Sequence, residues 1–314
     1  MAWCVVCVLV LPTLAAVSKS KLSVHVNGVD ATMAAWLAAT RPAVVKLLDP
    51  SPGDVAAARA ASPDALLVGR IYRPTQPTDG DPAAAAAAWF EDAWPTIAAC
   101  AGIDVWEGYN EPGVGDVPKM TWYAAFEAAR VALLAAAPTP ARAAVGCFST
   151  GTPDVTQPAI VNAFAPAIDA ARAHSGLLAL HEYASPTMSG CFDNATGEGW
   201  FTGRYRKLYR DFLEPQNRSL PLVVTEAGID NTGGACGSPD LGGWLGYCDW
   251  WASHGLPGDC AAQYTTQLAW YDSVLRRDAY VVGATLFCYH CSGFATYEVE
   301  TALPDLQAYM NALS

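Results

Sequence analysis

The sequence predicts a (β/α)8 barrel in a single domain, and three observations carry that expectation. Eight short strand-like runs alternate with helical stretches. Most of those runs are continuously apolar rather than alternating, the pattern of strands covered on both faces in a parallel sheet. No linker divides the 314 residues, a length that one barrel accommodates. The alternative, an open doubly wound sheet, calls for a Gly-rich turn after the first strand. Asn27-Gly28-Val29 supplies a single glycine there.

Taken in order, the strand runs are LSVHVNG (22–28), AVVKLL (43–48), ALLVGRIY (65–72), IDVWEGYNE (103–111), RAAVGCFS (142–149), LLALHEY (177–183), PLVVTEAG (221–228) and YVVGATLFCY (280–289). The helices expected between and after them are Ala31–Thr40, Asp54–Ala61, Pro82–Ala99, Met120–Ala137, Ile160–His174, Gly203–Phe212, Ala261–Arg277 and Pro304–Leu313. Asp81-Pro82 is a cap followed by a first-turn proline. The alanine run 83–88 reads as helix because Ala is the best helix former. The long segments Ala184–Thr202 and Ile229–Cys260 follow strands, so they fall on the barrel's C-terminal face.

Residues 1–18 form an apolar run followed by small residues, too short to span a bilayer comfortably. They read as a secretory signal preceding a barrel domain at 19–314, although no Lys or Arg stands before the apolar run. A secreted, extracellular chain is therefore expected. Asn194-Ala195-Thr196 and Asn217-Arg218-Ser219 are glycosylation acceptor patterns that agree with it. Beyond the signal stand Cys100, Cys147, Cys191, Cys236, Cys248, Cys260, Cys288 and Cys291. Their crowding in the C-terminal half predicts at least two disulfides, with Cys100 and Cys147 best read as buried thiols. The formal charge is −12 and no Lys/Arg-rich run occurs, so a nucleic-acid partner is not expected. His25, His174, His181, His254 and His290 are scattered without HxH or HExxH spacing, and no metal or other cofactor is expected. A monomer without stable membrane insertion is expected.

The chemistry concentrates at strand ends. In VWEGYNEPG the fourth strand closes on Asn110-Glu111-Pro112. A residue before proline is pushed toward extended backbone, so Glu111 is expected extended and aimed. Glu226 closes the seventh strand in LVVTEAG. Each alone is an ordinary strand-end carboxylate. Facing each other across one barrel mouth, they are the equipment for glycoside hydrolysis. Residues two apart on a strand share a face, so His181 and Tyr183 of HEY point into the same space. Tyr183 can then donate to Glu226 and keep it ionised, and Arg70 on the third strand can do so by charge. Lys46 faces inward if it shares register with Leu48, either toward substrate or toward a structural partner.

These motifs resemble the clan A glycoside hydrolases, retaining (β/α)8 barrels that include cellulase-like and endo-β-glucanase-like members. Asn110-Glu111-Pro112 is similar to the strand-four motif, Thr225-Glu226 to the strand-seven ending, and His181-Glu182-Tyr183 to the His-x-Tyr pair on strand six. The resemblance spans the whole barrel. It implies that Glu111 is the acid/base, Glu226 the nucleophile and Asn110 a donor to the sugar 2-hydroxyl. Many members end strand eight with a Trp as floor of the sugar site. This chain has Phe287, Cys288, Tyr289 and His290 there, so Phe287 or Tyr289 is expected to replace it. Trp244, Tyr247, Trp250 and Trp251 in the loop after strand seven read as an aromatic substrate wall, or else as a small cluster stapled under the loop. The expectation is a retaining hydrolase of β-linked polysaccharide or oligosaccharide, with β-glucan favoured and carboxyl oxygens roughly 5–5.5 Å apart. The alternatives are a non-catalytic carbohydrate-binding barrel and a metal-dependent barrel hydrolase.

Overall fold

The computed structural model describes residues 17–313, so the expected signal lies, up to residue 16, outside the described residues. Eight strands form a closed barrel: β1 (Leu22–Val26), β2 (Val44–Leu48), β3 (Leu66–Arg70), β4 (Val105–Trp106), β5 (Arg142–Phe148), β6 (Leu177–Ala184), β7 (Leu222–Ile229) and β8 (Val281–Tyr289). Every neighbour pair is parallel and follows chain order, with β8 closing onto β1. A two-stranded antiparallel ribbon, Phe192–Asp193 with Glu198–Gly199, stands apart in the loop after β6. Among the described residues no helix is long and apolar enough to cross a membrane.

Local chemistry starts the helices where the sequence places them. Asp30, Asp81, Asp116 and Asp259 each accept a first-turn backbone N–H as N-caps, and Ser51 with Asp54 makes a reciprocal capping box. Two expected helices are subdivided. The 160–174 region is Pro158–Ala163 followed by Ala165–Ala173. The 203–212 region is one α-turn, Tyr205–Leu208, running into a π-turn at Tyr209–Leu213. The ring of Tyr209 stacks on Tyr280 at 3.9 Å and its hydroxyl donates to the Leu220 carbonyl.

The strands grade from apolar to polar along the barrel axis. Facing inward are Val44 then Lys46, Val68 then Arg70, Val105 then Glu107, and Ala179 then His181. The first member of each pair belongs to a cluster of small buried residues, and the second is buried and polar. Alternation on a strand makes this possible, because residues two apart share a face. Strand β4 is shorter than its sequence run. Beyond it the buried Glu127–Arg130 pair takes over, with Arg130 donating to the carbonyls of Trp106 and Ala144. A Cβ on Gly108 would lie 2.5 Å from a Glu127 oxygen, so only glycine lets the chain pass there.

Six cysteines pair at the C-terminal half: Cys191 with Cys236, Cys248 with Cys260, and Cys288 with Cys291. Their Cα separations of 5.4, 5.1 and 5.9 Å suit disulfides. Cys100 and Cys147 are buried thiols, and burial raises the pKa of both. Non-reducing peptide mapping should link those three pairs and leave Cys100 and Cys147 alkylatable only after unfolding; any other linkage would contradict this arrangement.

Glu182 points away from the barrel lumen and is buried against Tyr271, whose hydroxyl donates to it at 2.8 Å. Burial pushes its carboxyl up to about 7, with the Tyr271 bond opposing. A folded value above the unfolded one favours the native state at acid pH, and that contribution is lost as pH rises through about 7. Glu182→Gln should therefore flatten the decline in stability between about pH 5 and pH 8. Urea unfolding across that range checks it, and an unchanged slope would refute the assignment.

Candidate active site

Glu226 is the most heavily held side chain at the barrel mouth. Its Oε1 takes Arg70 Nη1 at 2.8 Å and Lys46 Nζ at 3.1 Å, and its Oε2 takes the Tyr183 hydroxyl at 2.9 Å. His25 Nδ1 lies 3.7 Å from Oε1, and His181 Nδ1 lies 3.5 Å from Oε2. Burial alone would raise this carboxyl. His181, Lys46, Arg70 and His25 outweigh burial and hold it well below the usual carboxylate range. Burial and then the charge of Lys46 keep the His25 imidazole well below its ordinary value. Burial and the charge of Glu226 push the Tyr183 phenol far up, so Tyr183 remains a donor.

Inspection of the sequence alone overlooks Glu107. It is fully buried and lies 2.9 Å from Lys46 Nζ, so one lysine is shared between two carboxylates. Burial raises Glu107, but Lys46, Arg70 and His181 overcome that and keep it low. Its signal was the period-two step from Val105, which places residue 107 inward. Lys46 thus has its structural partners and does not line the cavity.

Glu111 stands differently. Its side chain is 37% exposed, and its Oε1 lies 2.7 Å from His181 Nδ1. The backbone expectation is corrected here: φ is +49°, in the left-handed region, not extended. The Glu111 N–H bonds the Cys147 carbonyl at 2.9 Å, and that tertiary tie overrides the local preference before proline. Such a conformation costs about 1–3 kcal/mol and is typical of functional positions. One oxygen of Glu111 and one of Glu226 lie within 4.8 Å of each other, and a His181 nitrogen lies within that distance of both. The same three groups are near enough to hold a cation, but Lys46 and Arg70 on Glu226 oppose a third positive charge.

Asn110 accepts from Arg70 through Oδ1, which leaves its amide NH2 as a donor. Gln76, also not foreseen, brackets the Asn110 backbone by accepting its N–H and donating to its carbonyl at 2.8 Å. A cavity of about 490 Å³ opens beside the carboxylates, its walls including Asn27, Asp49, Arg70, Asn110, Asp230 and Phe287.

Phe287 meets His25, Phe294 and Tyr297 edge-on at 5.2, 5.0 and 5.6 Å, forming one aromatic wall. Tyr289 does not join it. The β1–β8 register shifts so that His25 faces Phe287 and Val26 faces Tyr289, with Cys288 as the extra residue. That shift turns Tyr289 outward, where its hydroxyl meets Asp30 at 3.0 Å. The aromatic loop after β7 is also no wall. Trp244, Tyr247 and Trp251 are buried beneath it, Trp244 stacking on Tyr264 at 4.7 Å and donating to the Glu298 carbonyl. Apolar area near a disulfide-tied turn is better buried than displayed.

No family model matches the sequence, and no curated protein does. Solved structures do match the fold. A glucosidase from Croceicoccus marinus superposes with TM-score 0.55 at 11% identity, over 95% of this chain and 68% of the other. A β-glucuronidase from Ruminococcus gnavus gives 0.55 at 13% identity, covering 93% of this chain and 50% of that one. A β-1,3-glucanase and pollen allergen of Cryptomeria japonica gives 0.53 at 10% identity, over 90% and 95%. The chain shares the closed parallel (β/α)8 barrel with these structures. Its closed parallel barrel, with no added domain among the described residues, spans about half the length of that β-glucuronidase.

Because Glu226 and Glu107 have depressed folded values, their contribution to stability is present above the unfolded carboxyl pKa and fades as pH falls through the folded ones. Removing the shared cation raises those folded values. Lys46→Met should cost about 3 kcal/mol or more and move the acid-unfolding midpoint to higher pH. Circular dichroism during acid titration reads both effects; an unmoved midpoint would mean that Lys46 does not hold the pair.

Proposed function

We propose that the protein is a secreted retaining glycoside hydrolase acting on β-linked glucan, with Glu226 as nucleophile and Glu111 as acid/base. The observation that carries this is the carboxyl pair within 4.8 Å beside an aromatic-walled cavity. Inverting enzymes need about 6.5–9.5 Å to seat a water between the carboxyls, whereas retaining ones need about 5–5.5 Å. The cation clamp supports the division of roles. An ionised, buried Glu226 suits attack on an anomeric carbon, while the more exposed Glu111 can exchange protons with solvent.

In the first step Glu111 gives its proton to the glycosidic oxygen as Glu226 bonds to C1 and the leaving alcohol departs. Oε2 of Glu226 carries one close hydrogen bond, from Tyr183, and keeps a lone pair for that bond. Once esterified, Glu226 no longer carries charge. Glu111, now ionised, takes a proton from water, which attacks C1 and releases the sugar with retained configuration. His181 Nδ1 faces both carboxyls and is the donor to whichever is ionised. The Asn110 amide is free for the 2-hydroxyl.

A neutral sugar fits the lining. Arg70 is its one Lys or Arg among the described residues and is committed to Glu226 and Asn110, whereas Asp49 and Asp230 add negative charge. A uronate finds no free cation there. The paired cysteines and the exposed Asn194 and Asn217 support secretion.

Azide chemistry tests the roles. On an aryl β-glucoside, Glu111→Ala should complete its first step, and azide should then give a glycosyl azide of retained configuration. Glu226→Ala with azide should give the inverted product. NMR of both products decides it: exchanged outcomes reverse the roles, and wild-type activity in both variants on polysaccharide refutes the glycosidase reading.

A further inference from the structure

The cavity lies to one side of the carboxyl pair. Its walls come from β1, β2, β3 and β8 and the ends of β4, β6 and β7, and none of residues 147–157 or 185–204 lines it. Acid catalysis requires the leaving group to sit beside the proton donor. Glu111 is itself part of the cavity wall and is tied to the end of β5, so a departing half that continues past Glu111 runs onto the loops that follow β5 and β6.

Past Glu111 the chain is tied together step by step. The Glu111 N–H reaches Cys147 at the end of β5. Three residues on, Thr150 Oγ1 accepts the Tyr183 N–H at 2.9 Å and faces the His181 carbonyl at 3.4 Å. Gly151 follows at φ +85°, and a Cβ there would come within 3.3 Å of Trp200 Nε1. Trp200 is 40% exposed, unusual for so large an apolar side chain. It is also held in place. The Arg204 guanidinium lies 6.0 Å from the ring centroid and donates to the Thr152 and Pro153 carbonyls, stapling the Trp200 loop to the Gly151 loop. The ribbon before it is anchored by Cys191–Cys236 and by Phe192 against Trp270 at 4.9 Å.

We infer that Trp200 is the stacking platform for the sugar ring on the leaving-group side, and that it sets the preference for oligosaccharide over simple glycosides. This rests on the glycosidase reading above. A flat indole presented to solvent offers the C–H face of a pyranose a large apolar contact at little ordering cost. The ligand class is a neutral β-linked glucosyl unit, the aglycone of the scissile bond and the acceptor in the reverse direction.

Two substrates separate this from a structural role. Laminaribiosyl β-fluoride has a one-atom leaving group and places nothing on Trp200, whereas laminaritetraose must. In Trp200→Ala, kcat/KM on the tetraose should fall about tenfold or more while that on the fluoride stays within about twofold. Trp200→Phe should recover part of the loss. Transfer to added laminaribiose should fall with the tetraose activity. Equal losses on both substrates, or no loss on either, would overturn the assignment. Wild-type protein that turns over neither these compounds nor their β-1,4-linked counterparts would overturn the hydrolase reading, and this inference with it.

Discussion

One shared cation organises the centre of this molecule. Lys46 Nζ stands between Glu107 at 2.9 Å and Glu226 at 3.1 Å, all three side chains nearly or wholly out of water. Burying a carboxylate costs several kcal/mol unless charges and hydrogen bonds compensate. Arg70 supplies the second positive charge, so two acids and two cations balance within the lumen. Removing any one member leaves an uncompensated buried charge. The barrel makes the arrangement possible, because neighbouring parallel strands bring residues from β2, β3, β4 and β7 to one level of its interior.

The same cluster makes the two functional carboxyls unequal. Glu226 is enclosed by cations and a tyrosine hydroxyl, so its negative charge is stabilised before any substrate arrives. Glu111 sits at the rim with one close partner, His181, on a backbone held in a left-handed conformation by its bond to β5. A fixed anion beside a solvent-accessible carboxyl is the asymmetry that the proposed double displacement calls for. In the proposed reaction Arg70 is committed to Glu226 and Asn110 and is not available to bind an acidic sugar, so the same charge would serve the nucleophile and narrow the ligand class.

Much of this was legible in the chain. Continuously apolar runs separated by capped helices specify a parallel barrel, because a strand covered on both faces has no polar side to show. The strand ends at Asn110-Glu111 and Glu226 were legible for the same reason: polar residues closing such runs stand at the mouth. His181 and Tyr183 follow from spacing alone, since period two settles a shared face. Glu107 and Gln76 were less visible. An isolated glutamate inside a strand run, or a glutamine in a loop, carries no local mark of the partner it will meet.

The sequence by itself therefore determined the barrel, the order of its strands and which of its ends carry acids. Tertiary structure decided how several of those side chains are aimed. A register shift between β6 and β7 pairs Leu180 with Val224 but His181 with Glu226, and the extra residue, Thr225, turns Glu226 to the lumen. A second shift, at Cys288, keeps Phe287 in the cavity and sends Tyr289 to Asp30. A third tie, from Glu111 to Cys147, replaces an extended residue with a left-handed one. In each case the physical reason is the same. Alternation along a strand is a local rule, but a bulge is set by the hydrogen bonds of the neighbouring strand, which only the closed barrel brings alongside.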